Sequence, residues 1–312
     1  MSSSILACGR FRLDMSQPKI MAIINVTADS FSGDGCPDLG SALLAAERAV
    51  KEGAEILDIG GESSRPGARP VDPAVEAARV LPVIEAVAGL GVRVSVDTRH
   101  EQVARAAVAA GASIINDISA SLWAVAADLG VGWVAMHMAG SPATMQAEPH
   151  YDDVVDEVLS YLLDRARQAA SAGVTEMWID PGLGFGKSFA HNVALLAAAD
   201  RFVATGIPVA LGISRKHSTG LLSARADAST DASATGAPDG PTPTTDRLDV
   251  SLAIATWAMI AGVSMIRAHD VRPHVDACKV VAGQISDDRV TARPAPLPTL
   301  PGAAKPQDPS WQ

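Results

Sequence analysis

The sequence predicts an α/β fold built as a single (β/α)8 TIM barrel, and three observations point to it. Short apolar, β-branched runs alternate eight times with Ala-rich stretches of helical length. Four of those stretches meet a Gly just before the next run, at Gly53, Gly111, Gly173 and Gly262, where a left-handed cap ends a helix. Polar residues recur where each run finishes. The rival arrangement, a doubly wound open sheet, would carry a G-x-G-x-x-G after its first strand, and none is present.

Taken in order, the first strand is expected at 19–26 (KIMAIINV), followed by a helix at 39–52 that Gly53 closes. The second pair is a strand at 55–60 (EILDIG) and a helix at 73–88, the third a strand at 92–97 (VRVSVD) and a helix at 100–110. A capping box, Thr98-Arg99-His100-Glu101, is expected to open that third helix. Strands at 113–118, 132–137 and 176–180 precede helices at 122–129, 151–172 and 191–199. The last two strands fall at 208–213 and 265–269, with helices at 247–261 and 273–284. Residues 223–246, rich in Ala, Ser, Thr, Asp, Gly and Pro without apolar period, read as a flexible insertion after strand seven. The barrel domain is thus drawn over 1–285, and 286–312 as a Pro-rich disordered tail.

Composition narrows the function classes. The chain has 312 residues, 48% of them hydrophobic, and a formal net charge of −10, so a sizeable core is expected and a nucleic-acid surface is not. Its three cysteines, Cys8, Cys36 and Cys278, form no C-x-x-C, which fits a reduced, intracellular chain. The stretch ending at Cys8 faintly resembles a lipoprotein cleavage site but has no Lys or Arg before it and too short an apolar run. No run approaches the ~18 apolar residues of a membrane helix. A cytoplasmic protein without membrane or nucleic-acid partners is the expectation.

The stretch DPGLGFGKS, residues 180–188, looks at first like a phosphate-binding loop. Such a loop needs a Gly, four spacers and then Gly-Lys-Ser, and here the place of the first Gly holds Pro181, which has no N–H to offer. The stretch belongs instead with the polar strand ends: Asn25, Asp58, Asp97, Asn116, His137, Asp180, Ser214-Arg215-Lys216, and Arg267 with His269. Barrel closure brings such ends onto one rim, where barrel enzymes hold their chemistry. Two carboxylates and an Asn suit a flat heterocycle with N–H donors on its edge, at about 1.5–3 kcal/mol per charged hydrogen bond. Arg267, His269 and Arg65 suit an anion, and Lys216 could serve either group. The competing structural reading pairs Arg267 and His269 internally with Asp58 or Asp270.

The ordered motifs MAIINVTADSFSGDG (21–35), EILDIGGESSRPGA (55–68), VSVDT (94–98), GASIINDIS (111–119), AMHM (135–138), IDPGLGFGK (179–187), GISRK (212–216) and IRAHDV (266–271) resemble those of the dihydropteroate synthase family. That resemblance covers about residues 5–281 and implies a transferase of folate biosynthesis. Members join 6-hydroxymethyl-7,8-dihydropterin diphosphate to p-aminobenzoate and release diphosphate, and the suggested course is an S_N1-like displacement with Mg²⁺ on the diphosphate. The resemblance assigns Asp97, Asn116, Asp180 and Lys216 to the pterin, and Ser64, Arg65, Arg267 and His269 to the diphosphate. It assigns Asn25 to the metal, and Phe31, Pro66, Phe185, Lys216 and His217 to p-aminobenzoate, the group that sulfonamides mimic. It gives the catalytic part to Lys216, Arg267, His269 and Arg65, and makes loops 27–35 and 61–68 lids. Lys187 is then expected as an exposed residue opening a helix, and a homodimer through residues 250–263 is implied.

Three departures from the family pattern stand out: Ala28 where Pro is common, Ser32-Gly33-Asp34-Gly35 with two residues exchanged, and His217 where Ser is usual. Two other readings share the pterin acids, a methyltransferase acting on a methylated folate and a pterin-binding paralogue without catalysis. Neither has need of the Ser64-Arg65-Pro66, Ser214-Arg215-Lys216 and Arg267-Ala268-His269 set of anion contacts.

Overall fold

The structure, a computed structural model, describes residues 5–8, 11–14, 17–27, 35–36, 38–65, 67–230 and 240–283. Two short strands, β1 (Ile5–Cys8) and β2 (Phe11–Asp14), pair antiparallel ahead of the barrel and were not expected from the sequence. The barrel strands follow as β3 (Lys19–Asn25), β4 (Ile56–Gly60), β5 (Arg93–Asp97), β6 (Ile114–Asp117), β7 (Gly132–Met136), β8 (Met177–Asp180), β9 (Ala210–Gly212) and β10 (Met265–Ala268). They form one parallel sheet in the order β8-β7-β6-β5-β4-β3-β10-β9. A parallel bridge from Ile179 to Val209 brings β8 against β9 and completes the circle.

The expected helices are present as α1 (Leu39–Glu52), α2 (Pro73–Val87), α3 (Glu101–Ala110), α4 (Trp123–Leu129), α5 (Val154–Ala172), α6 (Phe189–Ala197), α9 (Leu248–Ala261) and α10 (Val271–Val281). Two more lie between them, the short α7 (Ala199–Val203) and α8 (His217–Thr230). α8 corrects the expectation of a structureless insertion from residue 223: its Leu- and Ala-containing start carries the helix to Thr230. Residues 231–239 and the tail lie outside the described residues. The capping box at Thr98 is also corrected. His100 is the N-cap of α3 and makes no side-chain cap, while Thr98 Oγ1 accepts from the His100 N–H at 3.1 Å, one residue too early.

Strand alternation sorts the side chains. One face of every strand packs outward on the helices in a large apolar core, including Ile20, Leu57, Val94, Ile115 and Ile179. The other face fills the barrel with a separate cluster of Met21, Ile56, Ile114, Val134, Trp178, Ala210 and Met265, one from each strand but β5. β5 supplies Arg93, in register with Ile56. Its guanidinium forms a two-pronged ion pair with Glu176, both side chains 2% exposed, so the charge is matched within the interior. The layer is thus full and closes the barrel below the rim.

Candidate active site

Residues of the same parity as that inner layer rise to the rim: Asn25 and Gly60, then Asp97 and Asn116, then Asp180, Gly212 and Arg267. They come together around Asp58, which is fully buried one step below Gly60. Asp58 Oδ2 accepts from Asn116 Nδ2 at 2.9 Å and from Arg267 Nε at 2.6 Å. The other side of the same guanidinium donates to Asp97 Oδ2 at 2.8 Å. The internal pairing weighed for Arg267 is therefore real, with Asp58 and with Asp97, whereas Asp270 takes Arg215 through two bonds of 2.9 and 2.5 Å. Asp58 is the residue that sequence assignment left out. A lone acid within the apolar run Ile56–Gly60, two residues before the strand end, was its signal.

On the opposite side, Asp180 Oδ1 accepts the Gly182 N–H at 2.7 Å, so the loop after β8 folds back over it. Lys216 reaches across from the end of β9, donating to Leu183 O at 2.5 Å with its ammonium 4.6 Å above the Phe185 ring. A side chain at Gly212 would meet both Lys216 Nζ and the aliphatic stem of Arg267, so both side chains pass over that glycine. His269 Nδ1 lies 3.1 Å from the buried Ser214 hydroxyl.

The charges are set by burial. It pushes Asp97 up to about 7, against the pull of Arg267 and with the help of Asp58. Asp180 is also raised by burial, which Lys216 and the Gly182 N–H oppose. Burial lowers Lys216 to about 8, although Asp180 resists. Burial and the nearby Arg267 and Arg215 drop His269 to about 3, so it meets an incoming anion as a neutral imidazole. Arg267 stays above its ordinary value despite burial, because Asp58 and Asp97 flank it.

Ser64 and Arg65 lie half-buried on the loop after β4, where Arg65 Nε donates to Ser63 Oγ at 3.0 Å. His217 is exposed as the first residue of α8, and Phe31, Pro66 and Ala28 fall outside the described residues. Asn25 Oδ1 and Asp97 Oδ2 both face the space that a side chain at Gly60 would fill. Among the described residues, Glu62, Glu76 and His100 form a group whose ligand atoms lie within 4.8 Å and that could hold a metal. That group is partly matched: Arg99 donates twice to Glu62 at 2.9 Å and His100 Nδ1 sits 2.7 Å from Glu76 Oε2, while Glu76 Oε1 is buried without a partner.

Lys187 corrects a third expectation. It is not an exposed helix opening; Ser188 caps α6, and Lys187 is 3% exposed. Its ammonium touches His137 Nδ1 at 2.9 Å and the carbonyls of Phe185, Gly182 and His137 at 2.9, 3.0 and 3.3 Å. His137 has the parity of the outer face, which explains why this polar strand end does not reach the rim pocket. The glycines of this loop serve backbone packing more than access to a ring: side chains at Gly182 and Gly186 would collide with the backbone of His137 and Ala139.

Comparison with known proteins agrees with this geometry. The pterin binding enzyme family matches residues 21–269. The chain is 41% identical over 295 residues to the dihydropteroate synthase of Neisseria meningitidis serogroup B, covering 90% of this chain and 97% of that one. The Yersinia pestis dihydropteroate synthase, solved with a sulfonamide drug complex, superposes with a TM-score of 0.81 at 37% identity, over 91% of this chain and all of that one. The Xanthomonas albilineans dihydropteroate synthase in complex with 7,8-dihydropteroate gives 0.74 at 38% identity, over 91% of this chain and all of its own. Barrel, rim and sequence agree along nearly the whole length, and the chain belongs to the dihydropteroate synthases of the pterin binding enzyme family.

Proposed function

We propose that the chain catalyses the transfer of a dihydropterin methyl unit from its diphosphate ester to p-aminobenzoate, giving 7,8-dihydropteroate and diphosphate. The observation that carries this reading is the Arg267 bridge: one guanidinium held between Asp58 and Asp97, with Asn116 on the same acid. It sets hydrogen-bond acceptors for a ring edge directly beside a cation for a departing anion.

In this reading Asp97, Asn116, Asp180 and Lys216 grip the pterin, with Asp58 beneath them. Asp58 Oδ1 and Ser95 Oγ, in register on adjacent strands, are buried without a protein partner and face the same interior. Ser64, Arg65, Arg267 and the neutral His269 receive the diphosphate. The methylene C–O bond breaks and its electron pair leaves with the diphosphate, in an S_N1-like displacement. The amine nitrogen of p-aminobenzoate then forms the C–N bond and gives up its proton to solvent. No general base is needed, since the arylamine is neutral near pH 7. Phe185 and Lys216 line the arylamine side, with Phe31, Pro66 and His217 assigned there by resemblance.

Mg²⁺ fits the donors present, since it takes hard oxygen ligands and usually only one or two from protein. Asn25 Oδ1, with Asp97 Oδ2 facing the same space, would hold it. When bound it supplies neutralising charge to the diphosphate.

A cytoplasmic homodimer completes the reading. No described helix is long and apolar enough to cross a membrane. Trp257 and Ile260 on α9 are 37% and 55% exposed, beside Leu252 and Ala253, and a second copy would cover them. Sedimentation tests that part. The decisive experiment for the activity is diphosphate release on mixing both substrates. Release in step with p-aminobenzoate consumption is expected; binding of the pterin without release would refute the reading.

A further inference from the structure

The loop between β8 and α6 ought to be the least constrained backbone at the rim. Gly182, Gly184 and Gly186 alternate along it with φ of 66°, 81° and 64°, a conformation that costs glycine little to enter or to leave. Yet each of its five successive carbonyls accepts a side-chain donor. Lys187 takes those of Gly182 and Phe185, Lys216 that of Leu183, Gln146 Nε2 that of Gly184 at 2.7 Å, and Tyr151 Oη that of Gly186 at 2.9 Å.

Lys187 is the centre of this arrangement. An ammonium has three donors and no acceptor, and burying one is costly unless every donor is matched. Here four acceptors surround it, one of them His137 Nδ1, which accepts when the ring carries its proton on Nε2; even so, burial lowers Lys187 to about 7, with Asp180 opposing. Burial and Lys187 itself both push His137 down, to about 3, so the ring stays neutral as the contact requires. A solvated lysine would start helix α6 equally well, so the helix does not explain the burial. The loop's cargo does: it carries the Phe185 ring beneath Lys216 and the Leu183 carbonyl that receives Lys216.

We propose that Lys187 is a positioning residue for the arylamine side of the site, tying the alternating-glycine loop to the end of β7 and so fixing Phe185 and Leu183 around Lys216. This rests on the reading that places Phe185 and Lys216 against p-aminobenzoate. The loop is then a rigid wall, and closure over the substrates falls to other segments.

The test is steady-state kinetics of diphosphate release with Lys187→Met in the full chain, varying each substrate in turn. The KM for p-aminobenzoate should rise about 10- to 100-fold, the scale expected when a substrate wall shifts by an ångström. The KM for the pterin diphosphate should rise by a clearly smaller factor, since the same loop also gives the Gly182 N–H to Asp180. Should Lys187→Met fail to fold, the double variant Gln146→Ala with Tyr151→Phe removes two other loop donors from more exposed positions and should show the same split, smaller in size. A p-aminobenzoate KM unchanged in a folded variant, or both KM values rising by the same factor, would overturn the proposal. Absence of diphosphate release from the unaltered protein would instead defeat the assigned reaction, which keeps the two failures apart.

Discussion

Arg267 and Asp97 join strands β10 and β5 across the barrel mouth, Nη2 standing 2.8 Å from Oδ2. The pair links the two halves of the chemistry, because one member belongs to the anion side and the other to the ring side. Arg267→Ala should therefore do more than remove a diphosphate contact. Turnover should fall by about 10²- to 10³-fold, the usual loss for one charge-stabilising donor. With its cation gone, Asp97 keeps the opposing charges of Asp58, Glu76 and Glu62, and its carboxyl should move further up. Pterin affinity should thus fall at pH 7 and recover as the pH is raised. Calorimetry at two pH values checks this; an affinity that ignores the substitution at both would show that the pair is not shared.

Asp180 offers a cleaner test of the ring side. Its Oδ1 is occupied by the Gly182 N–H, and an amide oxygen in Asp180→Asn can keep that bond. What the variant loses is the negative charge toward a ring N–H. The expected cost is about 1.5–3 kcal/mol, or roughly 10- to 150-fold in pterin affinity, with little change in melting temperature. Unchanged calorimetric affinity would sink the assignment of Asp180 to the pterin.

A purely structural counterpart lies at the bottom of the barrel. Glu176 and Arg93 are matched with one another at 2% exposure, each four residues before an assigned rim residue, Asp180 and Asp97, at the opposite end of the strand. Glu176→Ala would leave the guanidinium buried with Ser113 as its remaining partner. The destabilisation should be about 3–5 kcal/mol, read by urea unfolding, with KM values of the folded fraction unaffected. The double change Arg93→Met, Glu176→Leu should restore most of that loss, because no charge is then left uncompensated. If it does not, the pair contributes more than mutual neutralisation.

The eight strands were legible because each is a short β-branched run, and the barrel because helix-length segments ending in Gly separate them. Asp97, Asn116 and Asp180 were legible as rim residues because period-two alternation fixes which side chains face inward. Three features were not. Asp58 sits inside the Ile56–Gly60 run and was weighed only as a partner for Arg267; barrel closure shows that it also gathers Asn116, the two lying 209 and 58 residues away in the chain. Lys187 looked like a solvated helix start because its acceptors are carbonyls, which every residue has, turned inward by positive-φ glycines. The Thr98 capping box failed because the chain stays extended to His100 before the helix begins, so the hydroxyl serves a tight turn instead. In each case the missing information was three-dimensional placement of groups whose local sequence was unremarkable.

The last expectation concerns pH. The pterin-competent form needs Asp97 ionised as an acceptor and Lys216 protonated as a donor. Burial places these groups at about 7 and about 8 in the empty site. Affinity should rise as pH climbs through 7, peak narrowly, and fall beyond 8, by up to about tenfold per pH unit on each limb. The stability of the empty protein should run the opposite way. Asp97 is raised above its ordinary 3.8, so between about 4 and 7 the unfolded chain holds fewer protons and stability drops with rising pH. Lys216 is lowered from 10.5, so between about 8 and 10 the unfolded chain holds more protons and stability recovers. The pH that best prepares these two groups for the ring is thus the pH at which they most weaken the fold, and pterin binding should relieve that strain. Calorimetric titrations and thermal melts from pH 5.5 to 9.5 test both halves. Lys216→Arg should carry the alkaline limb out of range and leave the acid limb in place, whereas a flat binding profile for the unaltered protein would mean that neither group titrates against the pterin.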